Sequence, residues 1–279
     1  MRAAVIFVIF ITLISVRLTG RAATEIPFAY EEGLIFLKIH VAGENAPLNF
    51  VVDSGAGASV LDVEAARKLK LQFGRRETVQ GVEGRCVAFR MKGLNAKVAG
   101  IPVARSMLAL DLSPVSRSCG KRIDGLLGAD FFNKRIVQID FAAQKIRLVE
   151  RGEVPSNSAQ IVPLAKRNDA LCVQIGVNGN APQWMRLDTG CSSALEWVSG
   201  RPWARSSGTA ATIAAAAGSK RSIYADVTIG SERFTDVKTG LHDKPLFSGE
   251  AGLLGNGLLS RFLVTVDAGK EQLLLTRIK

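Results

Sequence analysis

The sequence predicts a mostly β chain assembled twice from one plan, and three observations carry that prediction. Glycine is abundant, with 27 in 279 residues, which favours many turns and hence many short strands. Segments rich in β-formers, broken by turn chemistry, come in the same order in both halves. The spacing of corresponding segments then stays locked: Gly125 and Gly252 lie 127 residues apart, and so do Asp140 and Asp267. An internal duplication accounts for this better than coincidence. At this length a single core is near the size at which chains divide in two.

In the first half, 33–41 is β-rich, Gly43-Glu44-Asn45-Ala46-Pro47 is turn chemistry, and 48–52 is a second apolar strand that ends at Asp53. In the second half 171–177 is a strand, Asn178-Gly179-Asn180-Ala181-Pro182 is the turn, and 183–187 leads into Asp188. Asn-Gly is a strong hairpin signal. A short helix follows in the first half from about Asp62 to Leu69, with Asp62 as its N-cap. Residues 78–87 read as a hairpin with a glycine tip, and 212–224 occupy the matching place; the alanine run 214–217 is assigned to a strand or flap arm because the repeat demands it. Each half closes on Gly-Leu-Leu-Gly (125–128 and 252–255), then on two strands, 136–140 and 145–149 in the first and 263–267 and 272–276 in the second. The join falls in the polar stretch 151–160.

The chemistry sits at two matching turns, Asp53-Ser54-Gly55 and Asp188-Thr189-Gly190. Each is a strand-to-turn junction that delivers one carboxylate, and the glycine lets the backbone double back without a Cβ clash. Two carboxylates delivered by two copies of one turn are the parts of a pair that shares a proton. Asp62, Asp124, Asp130, Asp140 and Asp267 read instead as caps and turn residues, and the three tryptophans as core and cleft wall.

These two turns, each followed downstream by Gly-Leu-Leu-Gly, resemble the aspartic proteases, and the order of elements is similar to the retropepsin-like proteins of bacteria in tandem. The resemblance covers nearly the whole chain after the N-terminal segment. It implies the acid-protease fold: all-β, with two pseudo-symmetric barrel-like lobes, a central cleft and few short helices. The implied lobes are 23–150 and 161–279. It implies that Asp53 and Asp188 are the catalytic pair, that Ser54 and Thr189 bond across to the opposite lobe, and that Gly55, Gly190, Gly128 and Gly255 support the site by close backbone approach. It implies hydrolysis of peptide bonds by a water activated between the carboxyls, with no metal and no cofactor. A peptide or protein substrate would lie between the lobes, and the molecule would be a monomer because one chain supplies both aspartates. Two departures stand out. The 78–91 stretch lacks the flap tyrosine of pepsin-like enzymes, and Cys191 stands where the first lobe has Ala56. The missing flap tyrosine and the alanine-rich second flap keep open a second function, a catalytically silent envelope protein that binds peptides on the same scaffold.

The rest of the composition narrows the options. With 47% apolar and 22% charged residues the chain is globular. The net charge of +11 comes from scattered residues without aromatic interleaving, so a solvated basic surface is expected rather than nucleic-acid binding. Four cysteines without a CxxC pair, and two distant histidines, argue against structural zinc. Residues 1–22, with Arg2 before an apolar run too short for a membrane span, read as a secretory signal peptide. Export to the periplasm or beyond is then expected, with no stable membrane insertion once that segment is removed. Disulfides become permissible, and Cys86–Cys119 with Cys172–Cys191 would give one per half, although the sequence leaves the pairing open.

Overall fold

The computed structural model describes residues 24–81, 84–92, 94–103, 106–150, 159–199 and 221–278. The protein is all-β and two-lobed, with short helices only at Val63–Lys68, Ser113–Ser118 and Asn256–Leu259 and one 3-10 turn at Ala129–Phe131 among these residues. A ten-stranded network holds the first lobe. A twelve-stranded one runs through the second lobe and across the seam between the two.

Strands form where apolar residues alternate with polar ones. Leu34–Val41 buries Ile35, Leu37, Ile39 and Val41 and turns Lys38 and His40 outward. It pairs antiparallel with Leu48–Val52, which buries Phe50 and Val52 in the same core. In the second lobe Ala170–Val177 pairs with Gln183–Leu187 in the same way. The turn that follows Val177 has Asn178 at φ 51° and Gly179 at φ 74°, and Asn180 N–H closes it on the Val177 carbonyl at 3.0 Å. Those left-handed angles explain why Asn-Gly stands there. The Asp62 carboxylate caps Val63–Lys68 by accepting from the N–H groups of Glu64 and Ala65, as the sequence predicts.

The seam carries the pseudo-symmetry. Ile136–Asp140 pairs antiparallel with Phe262–Asp267, and the register sets Gln138 opposite Thr265. These two residues are 127 apart, so equivalent positions of the two copies face each other, with Gln138 Nε2 donating to Thr265 Oγ1 at 3.1 Å. Thr24–Pro27 and Lys145–Val149 extend this sheet on one side, and Gln272–Arg277 and Gln160–Arg167 on the other. Phe50, Phe131, Phe132 and Phe262 are fully buried in a core that is continuous through both lobes.

The four cysteines are all free, so neither expected disulfide forms. Cys172 and Cys191 are buried on their own strand and turn, and they serve as small apolar side chains. The first-lobe hairpin forms from Arg76–Gly81 and Gly84–Lys92. Most of its expected counterpart, including the alanine run 214–217, lies outside the described residues, as do the segment 1–22, most of the 151–160 join and Trp203.

Candidate active site

Each aspartate leaves the end of a strand next to a Gly-Leu-Leu segment that runs parallel to it. Gly125–Leu127 pairs in parallel with Leu48–Val52, and Gly252–Leu254 with Gln183–Leu187. Asp53 N–H donates to the Leu127 carbonyl and Asp188 N–H to the Leu254 carbonyl, both at 2.9 Å. The glycine that closes each segment permits this packing. A Cβ on Gly128 would run into the Ala58 carbonyl, and one on Gly255 into the Ser193 and Cys191 carbonyls.

The turns bring the two carboxyls face to face. A Cβ added to Gly55 would sit 2.5 Å from the Asp188 Cγ, and one added to Gly190 would sit 2.6 Å from the Asp53 Cγ. Each turn glycine therefore clears the space that the opposite carboxyl occupies. Inside each turn the carboxylate also accepts a backbone bond: Ala56 N–H to Asp53 at 3.0 Å and Gly190 N–H to Asp188 at 2.9 Å.

Ser54 and Thr189 cross the seam in reciprocal fashion. Ser54 N–H donates to Thr189 Oγ1 at 2.9 Å, and Thr189 N–H donates to Ser54 Oγ at 3.1 Å. Each hydroxyl then donates to the strand before the other aspartate: Ser54 to the Leu187 carbonyl at 2.7 Å, and Thr189 to the Val52 carbonyl at 2.8 Å. All eight residues named from the sequence, Asp53, Ser54, Gly55, Gly128, Asp188, Thr189, Gly190 and Gly255, thus meet in one constellation.

Burial pushes the Asp53 carboxyl above the usual carboxylate range. Asp188, which is 3% exposed, is pushed well above it, first by burial and then by the charge of Asp53. Two like charges held this close cannot both ionise cheaply, so the pair titrates as a unit. The Arg186 guanidinium acts in the opposite direction on both. Cys191 is buried, and its thiol is pushed well up by burial and by Asp188, so it stays neutral beside the second turn.

Several contributors escape sequence reasoning. Arg186 and Glu250 form a buried ion pair through two bonds of 2.7 Å, and a further Arg186 N–H reaches the Gly55 carbonyl at 2.8 Å. Asn256 donates across the seam to the Gly33 carbonyl at 2.8 Å and, within its own lobe, to the Thr189 carbonyl at 2.7 Å. His242 bonds to the buried Glu196 at 2.6 Å. A cavity of about 760 Å³ opens elsewhere on the seam, between Tyr30 and Phe141 on one side and Phe234, Arg261 and Arg277 on the other. It shares no residue with either Asp turn, so it is a separate feature from the site.

Residues 37–131 match the family model described as aspartyl protease, a span that contains Asp53, the hairpin and the first Gly-Leu-Leu-Gly. No curated protein matches the chain.

Proposed function

We propose, for a chain whose residues 37–131 match the aspartyl protease family model, an endopeptidase in which Asp53 and Asp188 act as one proton-sharing pair. Protease chemistry is what the family brings; the endopeptidase activity and the residue roles are inferred from the site. The observation that carries them is the reciprocal fit of each turn glycine to the opposite carboxyl.

Burial raises both carboxyls, and each feels the other, so the pair holds one shared proton and one negative charge between Asp53 and Asp188. The ionised carboxylate takes a proton from a water that attacks the peptide carbonyl, while the protonated one donates to the developing oxyanion. Proton transfer to the departing amine then completes cleavage, and no covalent intermediate forms. The Ser54–Thr189 bonds fix the relative position of the two carboxyls, which lets the pair react without reorganising. Gly128 and Gly255 hold each turn against its neighbouring strand.

The peptide would lie in the cleft over the pair, under the Arg76–Gly81 and Gly84–Lys92 hairpin. The signal-like residues 1–22 support export. The presence of both turns in one chain supports a monomer. The direct test incubates the folded protein with an unfolded protein substrate from acid to neutral pH, beside Asp53→Asn and Asp188→Asn variants shown to be folded. Either substitution is expected to remove cleavage by about a thousandfold or more. Cleavage that survives either one would refute the shared pair.

A further inference from the structure

The duplication supplies an internal comparison for the buried ion pair behind the aspartates. Counting back from Asp53 and Asp188, Val51 stands in the first lobe where Arg186 stands in the second. By the 127-residue spacing of the Gly-Leu-Leu segments, Ile123 stands where Glu250 stands. The backbone agrees: Asp124 N–H donates to the Asn49 carbonyl and Ala251 N–H to the Trp184 carbonyl, each at 2.8 Å. Val51 and Ile123 lie in one apolar cluster with Val60, Leu112 and Val115. The fold therefore needs no charge at this place.

The second lobe nevertheless holds two charges there, each 4% exposed. The guanidinium makes two bonds of 2.7 Å to Glu250 and lies 3.4 Å from the centre of the Phe247 ring. A buried ion pair seldom adds stability over well-packed apolar residues of similar volume, so stability does not account for it. The remaining Arg186 bond goes across the seam, to the Gly55 carbonyl inside the other Asp turn.

We propose that Arg186 is a positioning residue for the aspartate pair: it ties the first Asp turn to the second lobe through the Gly55 carbonyl and fixes one positive charge behind the two carboxyls, with Glu250 holding the guanidinium in place. This rests on the shared-proton reading of the pair. The charge of Arg186 opposes the rise that burial imposes on both aspartates. The other titratable groups packed around it leave that role to Arg186. Cys191 faces Asp188 and Glu196, and its thiol is held protonated. Cys172 faces Glu250, Arg186 and Arg167, and its thiol is pushed up to about 12. Glu196 is bonded to His242.

The test is a carboxyl-carbon NMR titration of the full chain labelled at aspartate, with Asp53→Asn and Asp188→Asn assigning the signals. A double variant, Arg186→Val with Glu250→Ile, copies the first lobe. It is expected to move the titration of the pair up by about one pH unit. Glu250→Gln keeps the guanidinium and removes its countercharge, so it is expected to move the pair down. Unmoved titrations in folded variants would overturn the proposal while leaving the shared pair intact. If the double variant does not fold, Arg186→Gln added to Glu250→Gln decides: an upward shift relative to Glu250→Gln alone supports the proposal and no shift overturns it. Aspartates that titrate independently in the parent would overturn the shared-proton reading, and this one with it.

Discussion

Ser54 and Thr189 stand at equivalent places in the two copies and exchange the same bonds: each N–H donates to the other hydroxyl, and each hydroxyl donates to the strand before the other aspartate. Both are buried. Every bond crosses the seam, so the geometry of the pair and the docking of the lobes are one structural fact.

Removing either hydroxyl should therefore be costly. Ser54→Ala strands the Thr189 N–H and the Leu187 carbonyl, and Thr189→Ala strands the Ser54 N–H and the Val52 carbonyl. Each unsatisfied buried group costs about 1–3 kcal/mol, so with two groups stranded chemical denaturation should show a loss of about 2–6 kcal/mol for either change. Thr189→Ser keeps the hydroxyl and should lose much less. Equal losses for Thr189→Ser and Thr189→Ala would mean that packing of the methyl, and not the bonds, holds the seam.

Asp188 should trade stability for function. Its folded-state pKa is raised well above the ordinary 3.8. Between the two values the folded state keeps a proton that the unfolded chain releases, so stability falls as pH rises through that window. Asp188→Asn removes the effect. Its melting temperature should match the parent below about pH 3.5 and exceed it near neutrality, by a free energy on the order of 1 kcal/mol. A variant less stable than the parent at neutral pH would show that the carboxyl is not strained there.

The ion pair behind the site should be fragile when halved. Glu250→Leu leaves the Arg186 guanidinium buried without its counterion, and about 3–5 kcal/mol should be lost. Adding Arg186→Val on that background should recover most of it, because Val51 shows the same place filled by an apolar side chain. Thermal melts of the two variants and the parent measure this. If the second change adds to the loss, the bond to Gly55 outweighs the cost of burying the charge.

Gly255→Ala should act on the Asp188 turn itself. The new methyl meets the Ser193 and Cys191 carbonyls, which are backbone and cannot step aside. A cost of about 1–3 kcal/mol is expected, together with a fall in cleavage larger than the lost folded fraction explains. Cleavage reduced only in proportion to folding would separate the strand packing from the site.

Much of this was legible in the sequence because symmetry is visible there. The two Asp turns, the two Gly-Leu-Leu-Gly segments and the locked spacing identify which strands lie beside which. Asp62 announces its helix through local capping chemistry, and Asn178-Gly179 its turn through backbone sterics. What stayed hidden depends on contacts far apart in sequence. Arg186 and Glu250 are separated by 64 residues, and the Asn256 bond to Gly33 by 223. No periodicity links such residues. Yet a signal existed: where the copies differ, Val51 against Arg186 and Ile123 against Glu250, a charge replaces an apolar residue in a strand that the twin shows to be buried. The state of the cysteines was open in the sequence for a related reason. One cysteine pair per half looks tidy in sequence, but export only permits a bridge, and the fold leaves all four thiols free.

The most direct measurement is the pH dependence of kcat/KM for cleavage of an unfolded substrate by the parent, Asp53→Asn and Asp188→Asn. A pair that needs one protonated and one ionised carboxyl predicts a bell for the parent, falling on both sides, and background rates at every pH for both variants. A single-limbed profile that persists in Asp188→Asn would contradict the shared pair and leave Asp53 acting alone.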